Sequence, residues 1–311
     1  MSITAIRTSA LTRDFSNVRA LDKLTIEVPE GIVFGFLGPN GSGKTTTLRL
    51  LLGLLDPTAG DAQVLGYDIR SNADEIRLRS GALLEYTGLY ERLSAEENLD
   101  FYGRVWLMPS HERITRIKEL LTPLDLWDHR KERVGTWSRG MKQKLAVSRA
   151  LFHRPSMVFL DEPTAGLDPV AAAALRDDLA ALVNREGLTV FLTTHNLAEA
   201  EKLCNQVGVI NRGKLLVVGH PDELRARAGK AKVEVFGSGF TERALVALNQ
   251  RPEVVTTSMN GSRLIISLTC DISIAPLVKF MVQEGIQIEE IRKGAASLEE
   301  AFLKLMEEEK K

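Results

Sequence analysis

The sequence predicts an α/β core with an antiparallel β subdomain and a helical insert, followed by a small α+β tail. Three observations carry this reading. The apolar run Ile32 to Leu37 passes through a glycine-rich turn into a helical pattern, Thr46 to Leu55. Apolar strands and helices alternate again between Met141 and Thr193, as parallel sheets with helical crossovers require. Beyond Gly219 the order of elements changes to βαββαβ.

Taken in order, the β-type segments are Thr4 to Thr8, Leu24 to Val28, the Ile32 to Leu37 strand, and Ala62 to Leu65. From Asn72 to about Arg133 the periodicity is mainly helical, including Glu96 to Trp106 and Glu112 to Leu121, with Pro109 and Pro123 as punctuation. The insert is placed at about residues 86–135. The α/β pattern resumes with helix Met141 to Phe152, the strand from Met157 into Asp161-Glu162, helix Pro169 to Val183 and strand Leu188 to Thr193. Asn211-Arg212-Gly213-Lys214 lies between Val207 to Ile210 and Leu215 to Val218, which predicts a hairpin closing a first domain, residues 1–220. In the second, residues 221–311, the order is Lys232 to Phe236, helix Glu242 to Asn249, Val254 to Met259, Leu264 to Leu268, helix Ile274 to Glu284, and Ile286 to Ile291. Asn260-Gly261 marks a tight turn between its central strands, and the order is that of a ferredoxin-like unit, with a last amphipathic helix at Leu298 to Glu308.

Bulk properties narrow the classes of function. At 311 residues the chain can bury a full core. Its 40 Lys and Arg against 41 Asp and Glu give a formal net charge of −1, with no field favouring nucleic acid. Cys204 and Cys270 make neither a disulfide framework nor a metal-ligand spacing, which fits a reducing compartment. Met1 to Arg7 has no leader pattern, and no later run approaches a membrane span.

Two motifs carry the chemistry. Gly38-Pro39-Asn40-Gly41-Ser42-Gly43-Lys44-Thr45 fits G-x-x-x-x-G-K-[ST] between a strand and a helix beginning near Thr46. Its glycines let successive backbone N–H groups curl around phosphate oxygens at a helix N-terminus. Lys44 would reach the β- and γ-phosphates, and the Thr45 hydroxyl would ligate Mg²⁺. Met157 to Leu160 is an apolar strand delivering Asp161 and Glu162 at its carboxyl end, where open parallel sheets place ligands. Asp161 would hold the metal through water, and Glu162 would act as general base or water-positioning group. Together the motifs describe binding and hydrolysis of Mg-ATP.

With Trp137-Ser138-Arg139-Gly140-Met141-Lys142-Gln143 between these motifs and Thr193-Thr194-His195 after them, the chain from Ile3 to about Gly219 resembles an ATP-binding cassette (ABC) protein. It is most similar in appearance to the separate ATP-binding subunits of bacterial multidrug and antibiotic exporters. The resemblance implies a homodimer or heterodimer of cassettes, each ATP held by one phosphate loop and the opposite signature loop, and separate integral-membrane permease subunits that keep the chain peripheral on the cytoplasmic face of the membrane. Ser138 and Gly140 would then contact the γ-phosphate across the seam. Arg139 stands where the signature's first glycine is usual, and Met141 where glutamine is.

His195 would be the switch histidine, contacting the γ-phosphate or orienting water. Glu85 takes the position of the family's glutamine loop, either as a metal or water ligand or as a solvent-facing acid. Asp168, before Pro169, is explained by helix capping and by the family's contact with the opposing subunit. Phe15 would stack on adenine or sit in the core. Tyr86, Leu89, Tyr90, Phe101, Tyr102 and Trp106 would line a groove for a membrane partner or pack an ordinary core. The competing function is a soluble ABC ATPase of DNA repair or translation. The gap from Lys44 to Ser138 has no room for the long coiled coil of the repair class, and the chain carries one cassette where translation factors carry two.

Overall fold

The computed structural model describes residues 3–228, 232–261, 263–269, 273–294 and 297–308; Met1, Ser2 and Cys270 therefore lie outside the described residues. The chain divides into two units, Met1–His220 and Pro221–Lys311.

Among the described residues the first unit holds two sheets. One is antiparallel: β1 (Thr4–Phe15) pairs with β2 (Val18–Leu24), β3 (Glu27–Pro29) and β5 (Ala59–Val64), and β5 with β6 (Tyr67–Asp68). The other contains β4 (Val33–Leu37), β7 (Ser80–Leu83), β8 (Met157–Asp161), β9 (Thr189–Thr194), β10 (Gln206–Asn211) and β11 (Lys214–Gly219), in the order β11-β10-β4-β9-β8-β7. Its strands run parallel except β11, which closes the hairpin on β10. Every residue of β4 and β9 is buried, as expected of strands covered on both faces. Phe34 stacks on Phe191 at 5.2 Å between ring centroids, inside a core that also holds Ile6, Leu48 and Phe159.

Three sequence expectations are corrected here. The Leu24 to Val28 strand is two strands, because β2 ends at Leu24 and β3 begins at Glu27. β1 runs on to Phe15, carried past polar Arg13 and Asp14 by irregular register with β2. The stretch after Asn72 is not continuously helical: Ser80-Gly81-Ala82-Leu83 joins β8 as the edge of the parallel sheet.

The helices of this unit are α1 (Lys44–Leu51), α2 (Ala73–Arg79), α3 (Ala95–Val105), α4 (Ser110–Leu121), α5 (Arg139–Leu151), α6 (Pro169–Glu186) and α7 (Leu197–Leu203). A capping box starts α3, with Ser94 accepting from Glu97 N and the Glu97 carboxylate accepting from Ser94 N. Arg116 of α4 ties the insert to the core. Only 1% exposed, it donates to the α5 carbonyls of Leu151 (2.7 Å) and Phe152 (3.3 Å) and pairs with Glu186 of α6 at 3.2 Å. These partners answer the charge of a buried guanidinium and cap carbonyls left open at the end of α5.

Beside this clamp, the His153 ring stacks on Trp106 at 4.0 Å and shares a hydrogen bond with Ser80 O. Burial pushes the His153 imidazole down to about 4, and the charges of Arg116 and Arg149 act in the same direction. The unfolded chain takes up this proton below about pH 6.5, the folded chain only near pH 4, so stability falls as pH drops through that window. The loss attributable to this ring reaches about 3 kcal/mol at the acid end. His153→Phe keeps a stacking ring without the titration, so the urea midpoint of the first unit should fall less between pH 7 and pH 4 than in the parent. Parallel midpoint curves would contradict the assignment.

The second unit consists of α8 (Pro221–Ala228), β12 (Lys232–Ser238), α9 (Glu242–Asn249), β13 (Val254–Asn260), β14 (Arg263–Leu268), α10 (Ala275–Gln283), β15 (Gln287–Gly294) and α11 (Leu298–Glu308). The strands form an antiparallel sheet in the order β13-β14-β12-β15. Ala244, Leu248, Leu277 and Met281 of its helices bury against Val233, Val235, Leu264 and Ile266. Asn260 belongs to β13 and pairs with Arg263, one residue later than the expected turn. No helix of the described residues is long and apolar enough to cross a membrane.

Candidate functional site

Three neighbouring strands end together. Leu37 pairs with Thr194, and Asp161 pairs with Thr193, so the segments after β4, β8 and β9 leave the sheet side by side. That register converges the phosphate loop, Glu162 and His195 at the carboxyl edge of the sheet.

The loop after β4 needs its glycines. Gly41 (φ 78°) and Gly43 (φ 107°) adopt left-handed backbone, and a Cβ on Gly38 would lie 2.3 Å from Ile210 O. Lys44, 5% exposed, folds back on the loop, donating to Gly38 O at 2.8 Å and Pro39 O at 3.1 Å. Among the described residues Ser42 Oγ is buried without a hydrogen-bond partner, while Pro39 and Asn40 are exposed and Thr46 is half-buried. A buried orphan hydroxyl, left-handed glycines and a helix N-terminus form a donor set suited to phosphate oxygens.

The carboxylates sit against this loop. Thr45 Oγ1 donates to Asp161 Oδ2 at 2.7 Å, and Thr193 Oγ1 donates to Asp161 Oδ1 at 2.5 Å. Glu162 has a left-handed backbone (φ 49°), and its N–H bonds to the carbonyl and hydroxyl oxygens of Thr193, each at 3.1 Å. Its side chain bridges two motifs: Oε1 lies 3.2 Å from Lys44 Nζ and Oε2 lies 2.8 Å from His195 Nδ1. Strained backbone held by flanking bonds is a feature of functional sites. Sequence reasoning names Thr193 only within the Thr193-Thr194-His195 run and gives it no role at Asp161. The available signal was a threonine at a strand's carboxyl end, but its register with Asp161 is not legible in one sequence.

Among the described residues, the remaining expected residues make no hydrogen bond or ion pair to this group. Ser138 caps α5 by accepting from Met141 N at 3.2 Å, and no hydrogen bond or ion pair among the described residues joins it to Lys44 or Glu162. Gly140 follows in the first turn, close to Ala171 of α6. Asp168 caps α6, accepting from Val170 N and Ala171 N at 3.0 Å. Glu85, its side chain 62% exposed, faces Arg49 at 3.6 Å instead of bonding to Thr45 or Asp161. Phe15 is not a core residue: it is 39% exposed, with the Arg13 guanidinium 4.5 Å from its ring. The aromatic set divides, with Tyr86, Tyr90 and Phe101 exposed, Leu89 and Tyr102 half-buried, and Trp106 committed to its stack on His153.

A strand–phosphate loop–helix beside a strand-borne acid pair, on a parallel sheet with an antiparallel sheet and a helical insert, defines a nucleotide-hydrolysing cassette. Residues 21–165 match the family described as ABC transporter. The chain is 36% identical over 303 residues to the bacitracin transport ATP-binding protein BcrA of Bacillus licheniformis, covering 97% of each chain. It is 35% identical over 309 residues to the daunorubicin resistance ATP-binding protein DrrA3 of Streptomyces coeruleorubidus, covering 98% of this chain and 96% of that one. Its fold is similar to that of cbiO1 from Clostridium perfringens, with a TM-score of 0.67 at 23% identity over 80% of this chain and 96% of that one. A solved ATP-binding subunit of an ABC transporter gives a TM-score of 0.64 at 28% identity over 72% and 93%. The chain belongs to the ATP-binding proteins of ABC transporters. It is an ATPase subunit that powers transport, and the alternative of a soluble repair or translation ATPase finds no support.

Proposed function

We propose that this subunit drives export of antibiotic-like or similar drug molecules, working as one of two cassettes bound to separate membrane subunits. The observation that carries the site reading is Glu162 held between Lys44 and His195 at the mouth of the phosphate loop. Relatives named for bacitracin transport and daunorubicin resistance support the substrate class.

In this reading the loop Gly38 to Thr45 grips the phosphates of ATP with its backbone N–H groups, with Thr46 continuing the helix N-terminus beneath them. Ser42 supplies its unpaired hydroxyl, and Lys44 exchanges its loop carbonyls for phosphate oxygens. Mg²⁺, when bound, offsets phosphate charge; Thr45 and Asp161, already in contact, would hold it, with Glu85 reaching in once released from Arg49. Glu162 accepts a proton from, or orients, the attacking water, while His195 holds the Glu162 carboxylate in place. Phe15, exposed at the end of β1, offers adenine a stacking face. Ser138, Gly140 and Asp168, which among the described residues make no hydrogen bond or ion pair to Lys44 or Glu162, serve the second cassette's ATP across the seam, in a homodimer or heterodimer.

Residues 1–220 act as the ATP-binding domain, with residues 86–135 as its helical subdomain. Residues 221–311 form a ferredoxin-like accessory domain, a reading supported by its strand order. The exposed rings of Tyr86, Tyr90 and Phe101 offer an apolar surface to a membrane subunit, holding the chain at the cytoplasmic face. Purification from detergent extracts tests this: integral-membrane chains of a transporter should accompany the protein. A predominant ribosomal or DNA-bound fraction would contradict it.

A further inference from the structure

The segment from Glu162 to Asp168 links the proposed general base to the N-terminus of α6. It folds as two consecutive turns, Ala165 N donating to Glu162 O at 3.0 Å and Leu167 N to Thr164 O at 3.2 Å, with Gly166 left-handed at φ 70°. A cavity of about 330 Å³ lies against it, lined in part by Glu162, Thr164, Gly166, His195 and Glu199. Apart from buried Pro163 the segment is half-buried or exposed, so contacts at its edges help to position it. One edge is Thr164, whose hydroxyl donates to Glu199 Oε2 at 2.6 Å. Glu199 sits in the first turn of α7, which Asn196 caps directly after His195.

The other edge is Arg139. A Cβ on Gly166 would lie 2.2 to 2.5 Å from Nη1, Cζ and Nη2 of Arg139, so the flat guanidinium rests on the glycine backbone. This is the arginine that stands where a signature glycine is usual. Arg139 forms no ion pair among the described residues, and as the first residue of α5 it puts a positive charge at the positive end of the helix dipole. Such a placement disfavours the helix start, so local helix stability does not account for it.

We infer that Arg139 is a positioning residue that couples the two ATP sites of a cassette dimer, by tying the signature loop to the segment carrying Glu162. The inference rests on the cross-seam role proposed above for Ser138 and Gly140. When those residues engage the partner's ATP, the start of α5 shifts, and the guanidinium carries the shift to Gly166 and so to the Glu162 of its own chain. The His195 end of the same segment, through Glu199 and Thr164, answers to the chain's own nucleotide. Only a planar side chain covers Gly166 in this way, so Arg139→Lys should behave as Arg139→Ala does.

The test measures phosphate release against Mg-ATP concentration for the full chain in its membrane complex, in the parent, Arg139→Ala, Arg139→Lys, Gly166→Ala and the Arg139→Ala/Gly166→Ala pair. Ser138→Ala is followed separately, in the Glu162→Gln background, by ATP-driven pairing of chains. The parent should show a Hill coefficient well above one; each single variant should bring it to about one, and the pair should go no lower. A parent coefficient of one, an unchanged coefficient in Arg139→Ala, or additive losses in the pair would overturn the coupling. Loss of pairing in Ser138→Ala alongside an unchanged coefficient in Arg139→Ala rejects the arginine's role alone. Pairing that survives Ser138→Ala rejects the cross-seam reading, and the inference with it.

Discussion

Replacing Glu162 by glutamine is expected to lower ATP turnover by about 10²- to 10⁴-fold while the chain still binds Mg-ATP. Glutamine keeps the size of the side chain, and its amide oxygen can still face Lys44 or His195. It cannot accept the proton of an attacking water. The backbone that presents it is fixed independently, by two bonds from its N–H to Thr193, so the change is local. A single-chain site would then hold intact ATP, and a paired site would accumulate closed dimers. Phosphate release separates the outcomes from binding: parental turnover in this variant would contradict the assignment of Glu162.

Lys44→Ala is expected to weaken ATP affinity by about 10- to 100-fold, the equivalent of losing one hydrogen bond to a charged group. The lysine is buried, it lies within the loop's own ring of carbonyls, and among the described residues its only carboxylate partner is Glu162. Truncation therefore removes a phosphate donor and leaves Glu162 without its near cation, so turnover at saturating ATP should fall as well. Calorimetric titration with Mg-ATP reads the first effect. Parental affinity would count against the phosphate-loop assignment.

The chemistry of the site was more legible than its assembly. Lys44, Thr45, Asp161 and Glu162 sit in short contiguous motifs whose spacing follows from one turn and one strand end, and the structure puts them in direct contact. His195 was legible as the residue after an apolar strand, and it does meet Glu162. Thr193 was not, because its bond to Asp161 depends on how β8 and β9 align. β7 escaped notice for a related reason: Ser80-Gly81-Ala82-Leu83 has little strand propensity and is held in the sheet by pairing with β8. Helix α7 carried a usable signal, Asn196 followed three residues later by Glu199, but its seven residues are too short to show a period. The contact of Arg139 with Gly166 joins residues 27 positions apart whose neighbourhood only the packing of α5 against α6 creates.

In the proposed reaction a water activated or oriented by Glu162, which Lys44 and His195 steady, attacks the terminal phosphate of ATP gripped by the loop after β4. Its most direct test is inorganic phosphate released by the full chain, reunited with its membrane subunits and supplied with ATP and Mg²⁺, with the Glu162→Gln protein run alongside. Sustained release by the parent and near-complete loss in the variant, with ATP still bound, is the predicted result. Absence of release from the parent, or equal release from both, would contradict it.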